Sequence, residues 1–173
     1  SSSSLIDIRS SPFGSSSNNI LRDVVLLNAR TYAILIVQDG GSGTCYNNAV
    51  LNVTYPLSNE SVGASSSLIR KWYYTAYVND TSGLNVSNAN ITAYNSTGTY
   101  QFNLTTDSNG LTGTAEIIDY INTGSATGIN RTYYSPYDIY ALNSTYASLN
   151  SSWNVTLKQN TRQDFTLTTA VSD

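Results

Sequence analysis

The chain of 173 residues has no histidine, no methionine and a single cysteine, Cys45. Without histidine a Ser-His-Asp triad cannot form, and the commonest ligand for zinc and haem is missing. One thiol excludes an intramolecular disulfide and is too little sulfur for an iron–sulfur centre; Cys45 reads as a small buried apolar residue, with a bridge to another chain as the alternative. Only 11% of the residues are charged, against roughly 25% in an average soluble domain. The net charge is −3, and the only adjacent basic pair among eight scattered basic residues is Arg70-Lys71. No patch for a phosphate backbone results, and no nucleic-acid partner is expected. The longest apolar stretch, residues 33–37, is strand-sized, so no transmembrane helix is expected.

Acidic residues are equally sparse in pattern. Glu60, Glu116 and the aspartates stand singly, no Gly-x-Ser-x-Gly elbow occurs, and catalysis is not expected. Asp39, Asp80 and Asp107 each begin a glycine-containing turn that resembles part of a calcium loop, but each supplies one carboxylate where a tight site gathers several. They read as turn formers, and no metal or cofactor is expected.

What the chain does hold is asparagine in a particular setting. Of twenty asparagines, eleven open an Asn-x-Ser/Thr triplet: Asn52, Asn59, Asn79, Asn85, Asn90, Asn95, Asn103, Asn130, Asn143, Asn150 and Asn154. Composition alone would produce about five such triplets. Each is a potential N-glycan acceptor, which places the expected location outside the cell or on its surface. Strand periodicity turns several outward. Ala89, Ile91 and Ala93 alternate with Asn90; Tyr100, Phe102 and Leu104 with Asn103; Trp153, Val155 and Leu157 with Asn154; Leu51 and Val53 flank Asn52. Residues 1–51 hold five asparagines and no acceptor triplet.

Organisation along the chain is all-β. A serine-rich head, which begins without methionine and reads as a mature or trimmed form, encloses a short strand at 5–9. The apolar strands 24–27, 33–37 and 49–53 are then separated by Asn, Gly and Ser clusters. Two Asn-Asn pairs, Asn18-Asn19 and Asn47-Asn48, lie twenty-nine residues apart, each before a strand. Repetition on that scale suggests coils of a parallel β-helix. The stretch from Asn18 through Ile36 and the glycine-serine turn after it resembles the last coils of right-handed parallel β-helix surface proteins. Residues 1–66 are thus read as a β-helix-like or strand-donating segment, with Leu5, Ile6, Ile8 and Phe13 as candidate subunit contacts.

Residues 67–173 read as a β-sandwich. In 70–80, Trp72, Tyr74, Ala76 and Val78 alternate with Lys71, Tyr73, Thr75 and Tyr77, and turn signals follow at 80–83, 95–98 and 107–110. From about 70 to 169 these turns, with the Asn88-Ala89-Asn90-Ile91-Thr92 strand, resemble the immunoglobulin-like or transthyretin-like module of carboxypeptidase regulatory-like repeats. The combination is similar to archaeal surface β-helix proteins, which implies an extracellular setting and brings no catalytic residues. Tyr73, Tyr74, Tyr77, Tyr133, Tyr134, Tyr137 and Tyr140 form the remaining constellation, read first as cross-strand packing and then as interface or sugar platform. The expectation is a non-enzymatic, N-glycosylated structural subunit of a filament, pilus-like fibre or sheath, polymerising with copies of itself through β-strand pairing. The alternative is a stalk or carbohydrate-binding module of a larger β-helix protein.

Overall fold

The computed structural model describes residues 4–39, 43–125, 129–147 and 155–169. Among them, strands dominate and the one helical piece is a 3-10 turn, Leu57–Asn59. In chain order the strands are β1 (Ser4–Ser10), β2 (Ile20–Val25), β3 (Tyr32–Gln38), β4 (Cys45–Thr54), β5 (Glu60–Val62) and β6 (Ser66–Asp80). They continue with β7 (Asn90–Tyr94), β8 (Tyr100–Thr105), β9 (Ala115–Thr123), β10 (Arg131–Tyr133), β11 (Asp138–Leu142), β12 (Tyr146–Ala147) and β13 (Thr161–Thr169).

Two compact units result: residues 1–71 with 118–133, and 72–117 with 134–173. The sequence places a boundary after residue 66. The structure divides between Lys71 and Trp72, inside β6, and assigns 118–133 to the first unit. No glycine or proline interrupts the fifteen residues of β6, so the chain has no local punctuation there.

The first unit is a stack of coils. β1, β3 and β5 pair in parallel, as do β2, β4 and the beginning of β6. Ile20 lies opposite Ala49 and Val24 opposite Val53, a rise of twenty-nine residues per rung. The corners repeat as well, because Asn18 and Asn47 take φ of 64° and 55° while Asp23 and Asn52 take 56° and 54°. Asn and Asp enter this left-handed region at lower cost than other side-chain-bearing residues. Polar side chains then form a ladder on the same spacing. Asn19 Nδ2 donates to Asn48 Oδ1 (2.9 Å), Asn52 Nδ2 to Asp23 Oδ1 (2.7 Å), and the Tyr46 amide to Ser17 Oγ (3.1 Å). The apolar interior comprises Ala33, Ile34, Ile36, Cys45, Val50, Val53 and their neighbours, so Cys45 is a core residue.

The second unit is a sandwich. β13 runs parallel to the later part of β6, and β12 pairs with β13. The facing sheet has the order β11-β7-β8. Trp72, Tyr74, Ala76 and Val78 are buried and alternate with half-buried residues, as the sequence period requires; Ile91, Ala93, Ile139, Ala141 and Phe165 complete the core. Asp80, Asn95 and Asp107 build the same turn three times. Each Oδ1 accepts the amides two and four residues on, and the glycine three residues on has φ of 81°, 74° or 73°. Glycine adopts this conformation without a Cβ clash.

Asn48 has no solvent exposure; its Nδ2 donates to the Ser16 carbonyl, and its Oδ1 accepts from the backbone and side chain of Asn19. Asn48→Ala strands those partners and should cost about 1–3 kcal/mol. Denaturant unfolding with an unchanged midpoint would show that the ladder contributes nothing to stability.

Candidate functional site

The two ends of the coil stack differ in chemistry. Register lines up Ile6 with Ile34 and then Glu60, and Leu21 with Val50 and then Arg70. These two aliphatic ladders finish in charge at the third coil, while Ile8 and Ile36 continue to Val62, and Ile20 and Ala49 to Ile69. Glu60 is fully buried, and its carboxylate is saturated. Tyr55 and Tyr120 donate hydroxyls to Oε2, Asn122 Nδ2 donates to Oε1 at 2.6 Å, and Arg131 reaches Oε1 at 3.2 Å. Arg70 sits 5.0 Å from the Tyr55 ring centroid and faces Asp119 at 3.9 Å. β9 and β10 supply Tyr120, Asn122 and Arg131, and their approach is close. A Cβ on Gly124 would fall 1.8 Å from the Gly63 carbonyl oxygen. This end is closed. Both oxygens of Glu60 are engaged, as a fully satisfied buried polar network requires.

Sequence spacing hid this assembly, because Glu60 looks isolated until the fold brings in residues sixty to seventy-one positions later. Burial, followed by the Glu60 carboxylate, holds the Tyr55 phenol well above its ordinary value, and the same causes raise Tyr120.

The first coil is different. Among the described residues β1 pairs only with β3, and β2 only with β4. Their inward side chains, Ile6, Ile8, Leu21 and Val24, pack on the core but stay partly exposed, whereas Ile34, Ile36, Val50 and Val53 one rung below are buried. Of the four candidate contact residues, Ile6 and Ile8 thus face this unit's own core, while Leu5 and Phe13 face outward. Phe13 is 99% exposed at the tip of a turn closed by hydrogen bonds between Ser11 and Gly14. β1 forms a rung, in parallel register with β3.

No family profile and no curated protein sequence matches the chain. Among solved structures, the Bacillus anthracis TIE protein is similar, at 13% identity and a TM-score of 0.42. That similarity covers 77% of this chain and 19% of the TIE chain.

The acceptor asparagines fall into distinct settings. Asn85, Asn90, Asn103 and Asn130 are exposed; Asn52, Asn59, Asn79 and Asn143 are half-buried. Asn150 and Asn154, with the expected inward Trp153, lie outside the described residues. Asn95 is only 7% exposed, because its side chain is the acceptor of the second repeated turn. Turn chemistry also occupies two of the acids read against calcium, Asp80 and Asp107, while Asp39 pairs with Arg9. The amides of Leu111 and Asn109 hold the Asp107 carboxyl below the usual carboxylate range.

Tyrosine settings divide too. Tyr137 is fully buried and cannot serve as a surface platform; Tyr74 is likewise internal and donates to Gln163 Oε1 at 2.7 Å. A shift of register between Ala93 and Tyr94 sets Tyr94 opposite Tyr100 and skips Gln101, which leaves Tyr100 55% exposed instead of sharing the inner face with Phe102.

Two outcomes follow from these settings. Peptide mapping of protein from an N-glycosylating host should find Asn85, Asn90, Asn103 and Asn130 modified and Asn95 bare; a sugar on Asn95 would contradict the turn geometry. Because the folded chain keeps phenolic protons that the unfolded chain releases, stability should hold at neutral pH and fall once pH passes about 10. Tyr55→Phe with Tyr120→Phe should flatten that alkaline slope, by up to about 1.4 kcal/mol per pH unit for each tyrosine. An identical slope in the double variant would refute the buried-phenol account.

Proposed function

We propose that the chain is a non-enzymatic, N-glycosylated structural subunit of an extracellular filament, fibre or sheath, and that copies join by β-strand addition at the first coil. One observation carries this reading: the third coil holds a covered charged cluster, while the first presents partly exposed aliphatic side chains on strands that, among the described residues, pair along one side. Stacked repeats generally need a polar, covered terminus to be soluble alone. Completing the burial of Ile6, Ile8, Leu21 and Val24 under another rung would gain roughly 1 kcal/mol per side chain. Main-chain pairing along β1 and β2 would add direction and register. Leu5 and the fully exposed Phe13 supply anchors beside that edge, as aromatic residues commonly do at interfaces.

Absence of acceptor triplets before Asn52 supports the same division of labour, since the stacking end then carries no sugar bulk. A second reading, a stalk module of a larger β-helix surface protein, is favoured by the regular twenty-nine-residue ladder, which a further coil could extend.

Light scattering with electron microscopy tests the first reading. Wild-type protein should form concentration-dependent assemblies, and Leu5→Lys with Phe13→Ser should remain monomeric with an unchanged melting temperature, because both side chains point to solvent. Wild-type protein that stays monomeric across the accessible concentration range would exclude self-assembly.

A further inference from the structure

The sandwich unit carries a groove of about 430 Å3 on the outer face of the β11-β7-β8 sheet. Register fixes its walls, with Leu142 opposite Asn90, Tyr140 opposite Thr92 and Asp138 opposite Tyr94. Alternation turns Asn90, Thr92 and Tyr94 to this face and buries Ile91 and Ala93 beneath it. Tyr94 is held between two edge-to-face contacts, to Tyr140 at 6.0 Å and to Tyr100 at 6.2 Å. Gly98 lines the groove without adding a side chain, and the Asp138 carboxylate stands exposed beside Tyr94. Among the described residues, the hydroxyls of Tyr94, Tyr100 and Tyr140 and the Asp138 carboxylate make no hydrogen bond.

Aromatic faces flanked by free hydroxyls and a carboxylate match the chemistry of a pyranose, which has an apolar C–H face and a rim of hydroxyl groups. A source for such a sugar lies at the groove's end. Asn90 opens the triplet Asn90-Ile91-Thr92, is exposed, and has no side-chain hydrogen bond among the described residues. From Asn90 to Tyr94 the strand advances about 13 Å, room for about two or three pyranose rings. Asn103 is placed less well, since its Nδ2 already donates to Thr92 Oγ1 at 3.3 Å.

We infer that this groove seats the chain's own N-glycan attached at Asn90, with its first sugars stacked on Tyr140 and Tyr94 and a hydroxyl bonded to Asp138. The inference rests on the glycosylation part of the proposed function and not on assembly. Packing of this kind makes the glycan part of the fold, stabilising the outer sheet as a cross-strand aromatic pair does.

A thermodynamic cycle tests it on full-length protein from an N-glycosylating host: wild type, Asn90→Gln, Tyr140→Ala and the double variant, with Asn90 occupancy read by peptide mass spectrometry. Asn90 should be occupied, and Asn90→Gln should lower the melting temperature by roughly 2–4 °C in the wild-type background and by nothing once Tyr140 is alanine. Unmodified Asn90, or two losses that simply add, overturns the inference. If Tyr140→Ala does not fold, Asp138→Ala replaces it in the same cycle. Binding of a free chitobiose or related oligosaccharide to the unglycosylated groove, with Asn90 unoccupied in the native protein, would assign the site to an external sugar and reject the seat. Light scattering on the same samples keeps the readings apart, because an unoccupied Asn90 with intact assembly sinks this inference alone.

Discussion

A stack of β-coils has two ends, and the outer strands of each end present a row of amides and carbonyls with no rung beyond them. That constraint governs the first unit. At the third coil it is met with charge and cover: Ile6 and Ile34 give way to Glu60, Leu21 and Val50 give way to Arg70, and β9 and β10 bring Tyr120, Asn122 and Arg131 over the break. A buried carboxylate is costly unless its lone pairs are filled, and here they are. At the first coil nothing equivalent exists among the described residues, and Ile6, Ile8, Leu21 and Val24 stay partly exposed. This difference between the third coil and the first is what the proposed directional assembly rests on.

Asparagine serves the two units in different ways. In the coils it takes left-handed corners and builds the inter-rung ladder, as at Asn18, Asn19, Asn47 and Asn48, none of which begins an acceptor triplet. In the sandwich it sits mostly on outward strand positions and turns. Asn52 and Asn95 belong to both worlds: Asn52 takes a corner conformation and donates to Asp23, and Asn95 closes a turn, though each starts a triplet. A glycosylated Asn52 would keep one N–H for Asp23, whereas Asn95 would have to leave its buried setting. A triplet is thus only a chemical permission, and local geometry decides whether it can be used.

Much of the fold was legible because it rests on local rules. The alternation in 70–80, the three Asx-x-x-Gly turns and the Asn-Asn period of twenty-nine each appear in the chain as they do in the structure. Less visible were features that depend on distant partners. Glu60 meets Tyr120, Asn122 and Arg131 only after the chain has built a whole sheet, and no spacing announces that. The outward Tyr100 was missed because one skipped residue, Gln101, reverses the parity that a regular strand would impose. Tyr137 was placed among possible platforms on composition, yet it is fully enclosed in the sandwich core and forms a bridge with Val155. The division between Lys71 and Trp72 falls inside β6, which runs through it without interruption, so no local signal marks it in the chain.

Hydrogen exchange at the first coil tests the central claim most directly. Amide protection of β1 and β2, read by mass spectrometry at rising protein concentration, should increase while that of β3 and β4 stays constant, since only the outer edges gain partners on assembly. Protection of β1 and β2 that does not change with concentration would contradict strand addition between copies at this end.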